Sequence, residues 1–184
     1  MKEPKRAKQV AKTEAALEKA YFSLMEEGKK ITVGTLTEKS GINRATFYIH
    51  YKNIAAFAEK KEDDIVKKIY GLLTSGEGKS VSNYDKIYSC LEYLEKNKGI
   101  ATELFTPGKY PSFTNKLKEK LTEKFIKDVF HAENSPLKDN YILVAHFFLE
   151  GAIGITASWL KEGSVSLQDI ASLLDNIYSK SFKN

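Results

Sequence analysis

Apolar residues recur at three- and four-residue intervals along most of the chain, the spacing that puts them on one face of an α-helix. Strict alternation of apolar and polar residues, which is typical of β-strands, is scarce. Turn-forming residues separate the helical stretches, at Gly28, Thr74–Ser82, Pro107–Gly108 and Gly163–Ser164. The pattern therefore predicts an all-α protein with about nine helices.

The stretch from Thr32 to Asn53 predicts two short helices joined by a tight turn. Thr32 is a good N-cap for the first helix, about Val33 to Lys39, and Gly41 supplies the positive φ that ends it. Asn43, another good cap, opens the second helix. Three apolar residues are spaced to pack the two helices together: Leu36, Ile42 and Phe47.

The remaining positions at the second helix are predicted to face outward: Arg44, Ala45, Thr46, Tyr48, His50 and Lys52. Cationic, hydroxyl and small groups without a carboxylate suit the major groove of DNA. By chemistry, Arg44 can pair with a guanine and Thr46 can touch a base methyl or a phosphate. Tyr48, His50 and Lys52 are assigned to phosphates. Thr32 with its free amides adds a further phosphate site. The alternative is a solvated helix face with no partner.

The stretch from roughly Glu14 to Phe57 resembles the TetR-like (TetR/AcrR) family of transcriptional regulators. The residues that carry the resemblance are Leu36, Gly41-Ile42, Thr46-Phe47-Tyr48 and His50-Tyr51-Lys52-Asn53. The resemblance implies a homodimeric regulator, most often a repressor, that an effector releases from a palindromic DNA operator. Thr37 replaces a common alanine and is expected to loosen the helix packing, and Gly34 weakens its helix by roughly 1 kcal/mol.

The expected domains are a helix-turn-helix DNA-binding domain, residues 1–53, and a helical effector-binding and dimerisation domain, residues 54–184. Residues 1–61 carry thirteen Lys and Arg against seven Glu, a net of +6, whereas residues 62–184 have a net of −1. A cationic N-terminal segment is what phosphate binding requires. Its first lysines and Arg6 predict a basic arm that is disordered without DNA.

Aromatic residues are dense between residues 81 and 150, where the resemblance implies an effector chamber. The residues assigned to this pocket are Tyr93, Phe105, Phe125 and Phe147. Ordinary core packing is the alternative for each of them. The last two helices are predicted to form the dimer interface, through Phe148, Gly151, Ala152, Gly154, Ile155, Trp159, Leu174 and Ile177. Packing inside a single subunit is the alternative for this stripe.

Catalysis has little support, because the three histidines and Cys90 lie far apart and form no metal-ligand or nucleophile motif. We therefore expect no enzyme activity, no cofactor and no metal. The single cysteine excludes an intrachain disulfide and indicates a cytoplasmic protein. His146 and Glu150 interrupt the most apolar run, which makes it a poor membrane span.

Two further functions stay open. The segment from Phe147 to Leu174 resembles, less specifically, a subgroup that includes regulators of dihydroxyacetone utilisation, and some of these are activators controlled by a partner protein. Alternatively, the chain is a helical ligand-binding protein that has lost DNA binding. Gly34 and Thr37, which depart from the usual family pattern, allow this alternative.

Overall fold

The computed structural model describes residues 3–75 and 81–182, and all regular secondary structure within these residues is helical. The predicted all-α class is confirmed, and the described residues form nine α-helices, in agreement with the expected number of about nine. The helices are α1 (Glu3–Glu26), α2 (Val33–Ser40), α3 (Arg44–His50), α4 (Ile54–Thr74), α5 (Asn83–Lys96), α6 (Lys98–Phe105), α7 (Pro111–Lys124), α8 (Lys138–Glu162) and α9 (Leu167–Phe182). Residues 76–80 of the predicted loop Thr74–Ser82 lie outside the described residues.

The chain divides into two compact units, Met1–Asp63 and Asp64–Asn184. The division falls inside α4, so this helix contributes its first ten residues to the first unit and the remainder to the second. The domain boundary expected from the sequence, between residues 53 and 54, lies at the start of α4.

The first unit is built on apolar side chains from four helices that are removed completely from solvent. Each of them is 0% exposed: Leu17, Leu36, Phe47 and Phe57. The ring of Phe57 lies 5.3 Å from that of Tyr21 and 6.0 Å from that of Phe47, within the range of favourable aromatic pairs. This cluster holds α1, α3 and the beginning of α4 together.

Capping fixes the position of α2, as the sequence predicts. The Thr32 hydroxyl accepts a hydrogen bond from the Thr35 amide at 3.1 Å, and the Thr35 hydroxyl accepts one from the Thr32 amide at 3.0 Å. Gly41 ends the helix in the left-handed region at φ 67°. Thr37 is buried, and its hydroxyl donates to the Val33 carbonyl at 2.8 Å. The helix itself therefore satisfies this polar group, and its burial leaves no unpaired donor.

The beginning of the chain differs from the expectation of a disordered basic arm. α1 starts at Glu3, so the backbone of Lys5, Arg6 and Lys8 is helical. Lys2 lies outside the described residues. The long run of helix-forming residues after Pro4 is sufficient to extend α1 toward the N-terminus.

The second unit packs α5 against α9, and α6 and α7 against α8. Its core includes Leu94, Phe105, Phe113, Leu149 and Leu160, each at most 5% exposed. The predicted single helix from Phe113 to Phe130 is divided. A π-helical turn, Phe125–Val129, follows α7, with the Phe130 amide donating to the Phe125 carbonyl at 3.0 Å.

Two glycines in the first unit give opposite stability predictions. A Cβ at Gly34 meets only the Thr32 hydroxyl oxygen, at 3.6 Å, so Gly34→Ala should raise the free energy of unfolding by about 0.5–1 kcal/mol. Gly41→Ala puts a Cβ on a residue at φ +67° and should lower the free energy of unfolding by about 1–2 kcal/mol. Urea denaturation of the two variants and the unmodified protein measures both, and destabilisation by Gly34→Ala would contradict the prediction.

Candidate nucleic-acid interface

The short helix α3 is positioned by its caps and by one buried ring. The Asn43 side chain accepts a hydrogen bond from the Ala45 amide at 2.8 Å, which starts the helix. Phe47 points inward and is 0% exposed, with its ring 5.6 Å from that of Tyr51. The α3 sequence RATFYIH contains no carboxylate, so the outer face of the helix is free of negative charge.

The structure sorts the predicted outward residues into two groups. Arg44, Ala45, Tyr48 and Lys52 are exposed at the surface of the first unit. The other members of the predicted set are half-buried: Thr32, Thr46 and His50.

Sequence reasoning missed Ile49, which is 80% exposed, the highest value among the large exposed hydrophobic side chains of the described residues. The spacing of residues in the sequence could have identified Ile49. Ile49 follows the buried Phe47 by two positions and Ala45 by four, which turns it toward the outer face of α3.

Arg44 is held above its own helix by Tyr48. The guanidinium carbon lies 5.8 Å from the centre of the Tyr48 ring, a cation–π distance, and Nη2 is 3.4 Å from the hydroxyl oxygen. Both side chains are exposed. The contact limits the rotamers of Arg44 while its donors stay accessible to a partner.

A polar cluster around Glu14 of α1 fixes the end of α3. The Tyr51 hydroxyl donates to Glu14 Oε2 at 2.5 Å, and His50 Nδ1 lies 3.5 Å from Oε1. Lys61 of α4 is 5% exposed, and its Nζ lies 3.4 Å from Glu14 and 2.9 Å from Glu18. One carboxylate therefore joins three helices at the point where the chain leaves α3. His50, which was assigned to phosphate contact, faces this cluster through Nδ1.

The positive charge of the first unit depends on where the unit ends. The compact unit Met1–Asp63 includes Glu62 and Asp63, so its thirteen Lys and Arg stand against nine acidic residues, a net of +4. The same count gives +1 for residues 64–184. The excess of cationic residues stays on the unit that contains α3.

The four residues assigned to the effector pocket lie in different surroundings within the second unit. Phe105 is buried at 5.5 Å from the Phe113 ring, whereas Phe125 is half-buried at 6.0 Å from the Tyr178 ring. Phe147 is 75% exposed. Lys68 Nζ lies 5.9 Å from the centre of the half-buried Tyr93 ring.

An open groove of about 420 Å³ runs along the part of α4 that belongs to the second unit, lined by Asp64, Lys67, Lys68, Gly71 and Leu72. Its volume is within the range of ligand pockets. Lys68 connects this groove to Tyr93, the one pocket residue of the sequence prediction that has a described contact with the lining.

The second unit exposes apolar side chains along α8 and α9. On α8, exposed positions follow one another in steps of three or four residues, at Leu143, Phe147, Gly151, Gly154 and Ser158. On α9, Leu173 is 47% and Ile177 37% exposed. The other predicted interface residues are half-buried, at Phe148, Ala152, Ile155 and Leu174, except for Trp159. Trp159 is buried, and its indole N–H donates to the Val165 carbonyl at 3.0 Å.

By length and composition α8 could also cross a membrane, with a mean hydropathy of 1.5 over its most apolar window and 22% of that window buried. Glu150 of α8 forms an ion pair with Lys118 of α7 at 2.5 Å. The helix therefore uses one face for packing within its own unit and presents another to the surroundings.

Reactive groups are few in the described residues. Burial raises the pKa of the Cys90 thiol to about 12, so the thiol stays protonated at neutral pH. No group of three or more His, Cys, Asp or Glu side chains in the described part of the chain is placed to hold a metal ion.

The chain is similar to known proteins in family, in sequence and in fold. A TetR-family model for the C-terminal region of transcriptional regulators matches residues 82–180. YxbF of Bacillus subtilis (strain 168), an uncharacterised HTH-type transcriptional regulator, is 42% identical over 55 residues, which are 28% of this chain and only 14% of that relative.

The fold is similar to that of the dihydroxyacetone kinase operon activator DhaS, with a TM-score of 0.63 and 18% identity over 93% of this chain and 96% of that one. It is also similar to a candidate TetR-family transcriptional regulator from Rhodococcus sp., with a TM-score of 0.52 and 16% identity over 90% and 97% of the two chains.

The Glu14 cluster predicts a difference between two Tyr→Phe variants. Tyr51→Phe keeps the ring but removes the hydroxyl that donates to a carboxylate, and should lower the free energy of unfolding by about 1–3 kcal/mol. Tyr48→Phe removes an exposed hydroxyl and should change it by less than about 0.5 kcal/mol. Urea denaturation of the full chain measures both, and equal losses would count against the cluster as an anchor of α3.

Proposed function

Since this chain belongs to the TetR family of transcriptional regulators, we propose that it binds a palindromic DNA operator as a homodimer, using α3 in the major groove. The observation that carries this proposal is the outer face of α3. It combines exposed cationic, small and apolar side chains, contains no carboxylate and is anchored by Phe47. Such a face complements the negative potential and the base edges of a major groove.

Roles within the operator complex follow from exposure. We assign Arg44 to a guanine, because a guanidinium can donate two parallel hydrogen bonds to O6 and N7. Ala45 lets α3 approach the bases closely. Tyr48 and Lys52 contact phosphates, together with the N-terminus of α2 at Thr32. The half-buried Thr46 and His50 contribute to phosphate binding only at the edge of the interface.

Two substitutions separate base recognition from phosphate binding. Arg44→Ala should lower affinity for the selected operator by about 1–3 kcal/mol and relax the preference at one base position in each half-site. Lys52→Ala should weaken all duplexes alike and reduce the slope of log K against log salt by about one unit per protomer. The measurement is fluorescence anisotropy with duplexes obtained by selection from a random pool. Failure to enrich any sequence from that pool would refute the proposed function.

We propose that a second copy of the chain covers the exposed stripe of α8 and the exposed residues of α9. One α3 contacts too few bases to select a genomic site, whereas two copies about 34 Å apart contact successive major-groove segments. The stripe contains both large side chains, at Leu143 and Phe147, and small ones, at Gly151 and Gly154. Small residues allow a partner helix to approach closely while the large ones supply apolar area. Phe147 therefore belongs to this interface in the proposal, and buried Trp159 supports it from within.

Gly154 allows a direct test, since a Cβ built there meets nothing within 4 Å in its own chain. Gly154→Leu should therefore fold but overpack the dimer, raising its dissociation constant at least tenfold, or about 1.4 kcal/mol. Gly71→Leu is the matched control, because Gly71 is also an exposed helical glycine with open space around an added Cβ. Sedimentation equilibrium measures both variants, and a monomeric unmodified protein at micromolar concentration would exclude the interface.

The effector is proposed to act on the second unit. The groove along α4 is lined by two lysines, and one of them, Lys68, lies near the Tyr93 ring, which suits an amphipathic ligand with an acidic group. Binding changes operator affinity only by the ligand's differential affinity for the two states, typically about 1–3 kcal/mol.

Repression in the cytoplasm is the proposed mode of action, with release by the effector. A deletion strain in which the regulated genes fall rather than rise would assign activation. Purification from the native cell distinguishes a protein effector, which would be retained with the chain, from a small molecule, which would dissociate or appear by mass spectrometry.

A further inference from the structure

The inference concerns Ile49 and rests on the proposed function. Its side chain is 80% exposed at the outer face of α3, although Phe47, the other large apolar residue of this helix, is 0% exposed. A single exposed hydrophobic residue on a protein surface needs no explanation by itself. Here it lies on the face whose remaining exposed side chains already complement DNA, so its surroundings specify what it can contact.

The outer face of α3 consists of two neighbouring stripes. One stripe contains Arg44 and Tyr48, which are joined by the cation–π contact. The other contains Ala45 and Ile49, one helical turn apart, and both are exposed and aliphatic. A partner therefore meets hydrogen-bond donors beside a purely apolar strip.

The chemistry of the major groove gives this apolar strip one natural contact. Of the four bases, only thymine presents a methyl group there, at C5, while the N and O atoms of the base edges are hydrogen-bond donors or acceptors that Ile49 cannot satisfy. Thr46 was the sequence-based candidate for a base methyl, but it is half-buried. A protein partner is disfavoured because Arg44 and Lys52 flank the strip with exposed positive charge.

We propose that Ile49 is a specificity-determining residue that packs on the 5-methyl group of a thymine in each operator half-site. Ala45, one turn earlier, has a side chain small enough to let the helix come within van der Waals distance of that methyl. The operator should therefore contain, in each half-site, a thymine that the protein recognises without any hydrogen bond to it.

The test uses 2′-deoxyuridine, which lacks the 5-methyl group of thymidine and keeps every hydrogen-bonding group. Each thymine of the selected operator is replaced in turn, symmetrically in both half-sites, and affinity is measured for the full-length protein. One position should weaken binding by the unmodified protein about fifteenfold, corresponding to about fourfold for each methyl group buried. Ile49→Ala should bind the thymine and deoxyuridine duplexes within twofold of one another.

Tyr48→Phe is the matched control, because it changes an exposed neighbour and leaves Ile49 in place. It should retain the full loss of affinity on deoxyuridine substitution. Tight operator binding that is insensitive to deoxyuridine at every thymine would overturn the inference and leave the proposed function intact. A loss of affinity on deoxyuridine substitution that persists in Ile49→Ala would have the same two consequences. Absence of any selected operator would overturn the proposed function and this inference together.

Discussion

The burial of Phe47 is the constraint on which the recognition surface depends. α3 has seven residues, far fewer than an isolated helix needs to be stable in water, so its helical state comes from tertiary packing. Phe47 supplies that packing through ring contacts with Tyr51 and Phe57, and Phe57 extends the cluster to Tyr21 of α1. With the inward direction fixed, the 100° rotation per residue fixes which side chains face outward.

Burial of the Phe47 ring alone would leave α3 able to rotate around that side chain, and the Glu14 cluster restrains this rotation. Buried ion pairs contribute little net stability, because desolvation offsets the attraction between the charges. Their geometry is nevertheless specific, since Lys61 must be satisfied by Glu14 and Glu18 together while Glu14 also accepts from Tyr51. In the proposed role of contacting bases, α3 would need a fixed orientation more than extra stability, which is a physical reason to retain such a cluster.

Local signals predicted the fold well, whereas the faces of the helices were harder to predict. Thr32, Gly41 and Asn43 are caps and turn residues whose chemistry acts within a few residues, so α2 and α3 could be placed from the sequence alone. The π-helical turn at Phe125–Val129 was missed because the change in hydrogen-bond register depends on tertiary packing.

The outward set on α3 was chosen as polar and small residues, and this criterion omits Ile49 and includes the half-buried Thr46 and His50. Polarity is a poor guide to exposure on a surface that binds a partner, because apolar side chains that contact the partner are exposed in the unbound protein. Phe147, assigned to an interior chamber as an aromatic residue, likewise lies on the surface, on α8.

The exposed stripe of α8 also bears on how stable a single chain can be. Leu143 and Phe147 expose large apolar surface in one copy, and the exposed Gly151 and Gly154 weaken the helix that presents it. A lipid environment would have to accommodate the polar side chains of His146 and Glu150 on the same helix, and Glu150 already pairs with Lys118. In the proposed dimer, a second copy would cover the stripe without that cost. Association of the folded form then stabilises it by mass action, so the thermal stability of the chain should rise with protein concentration.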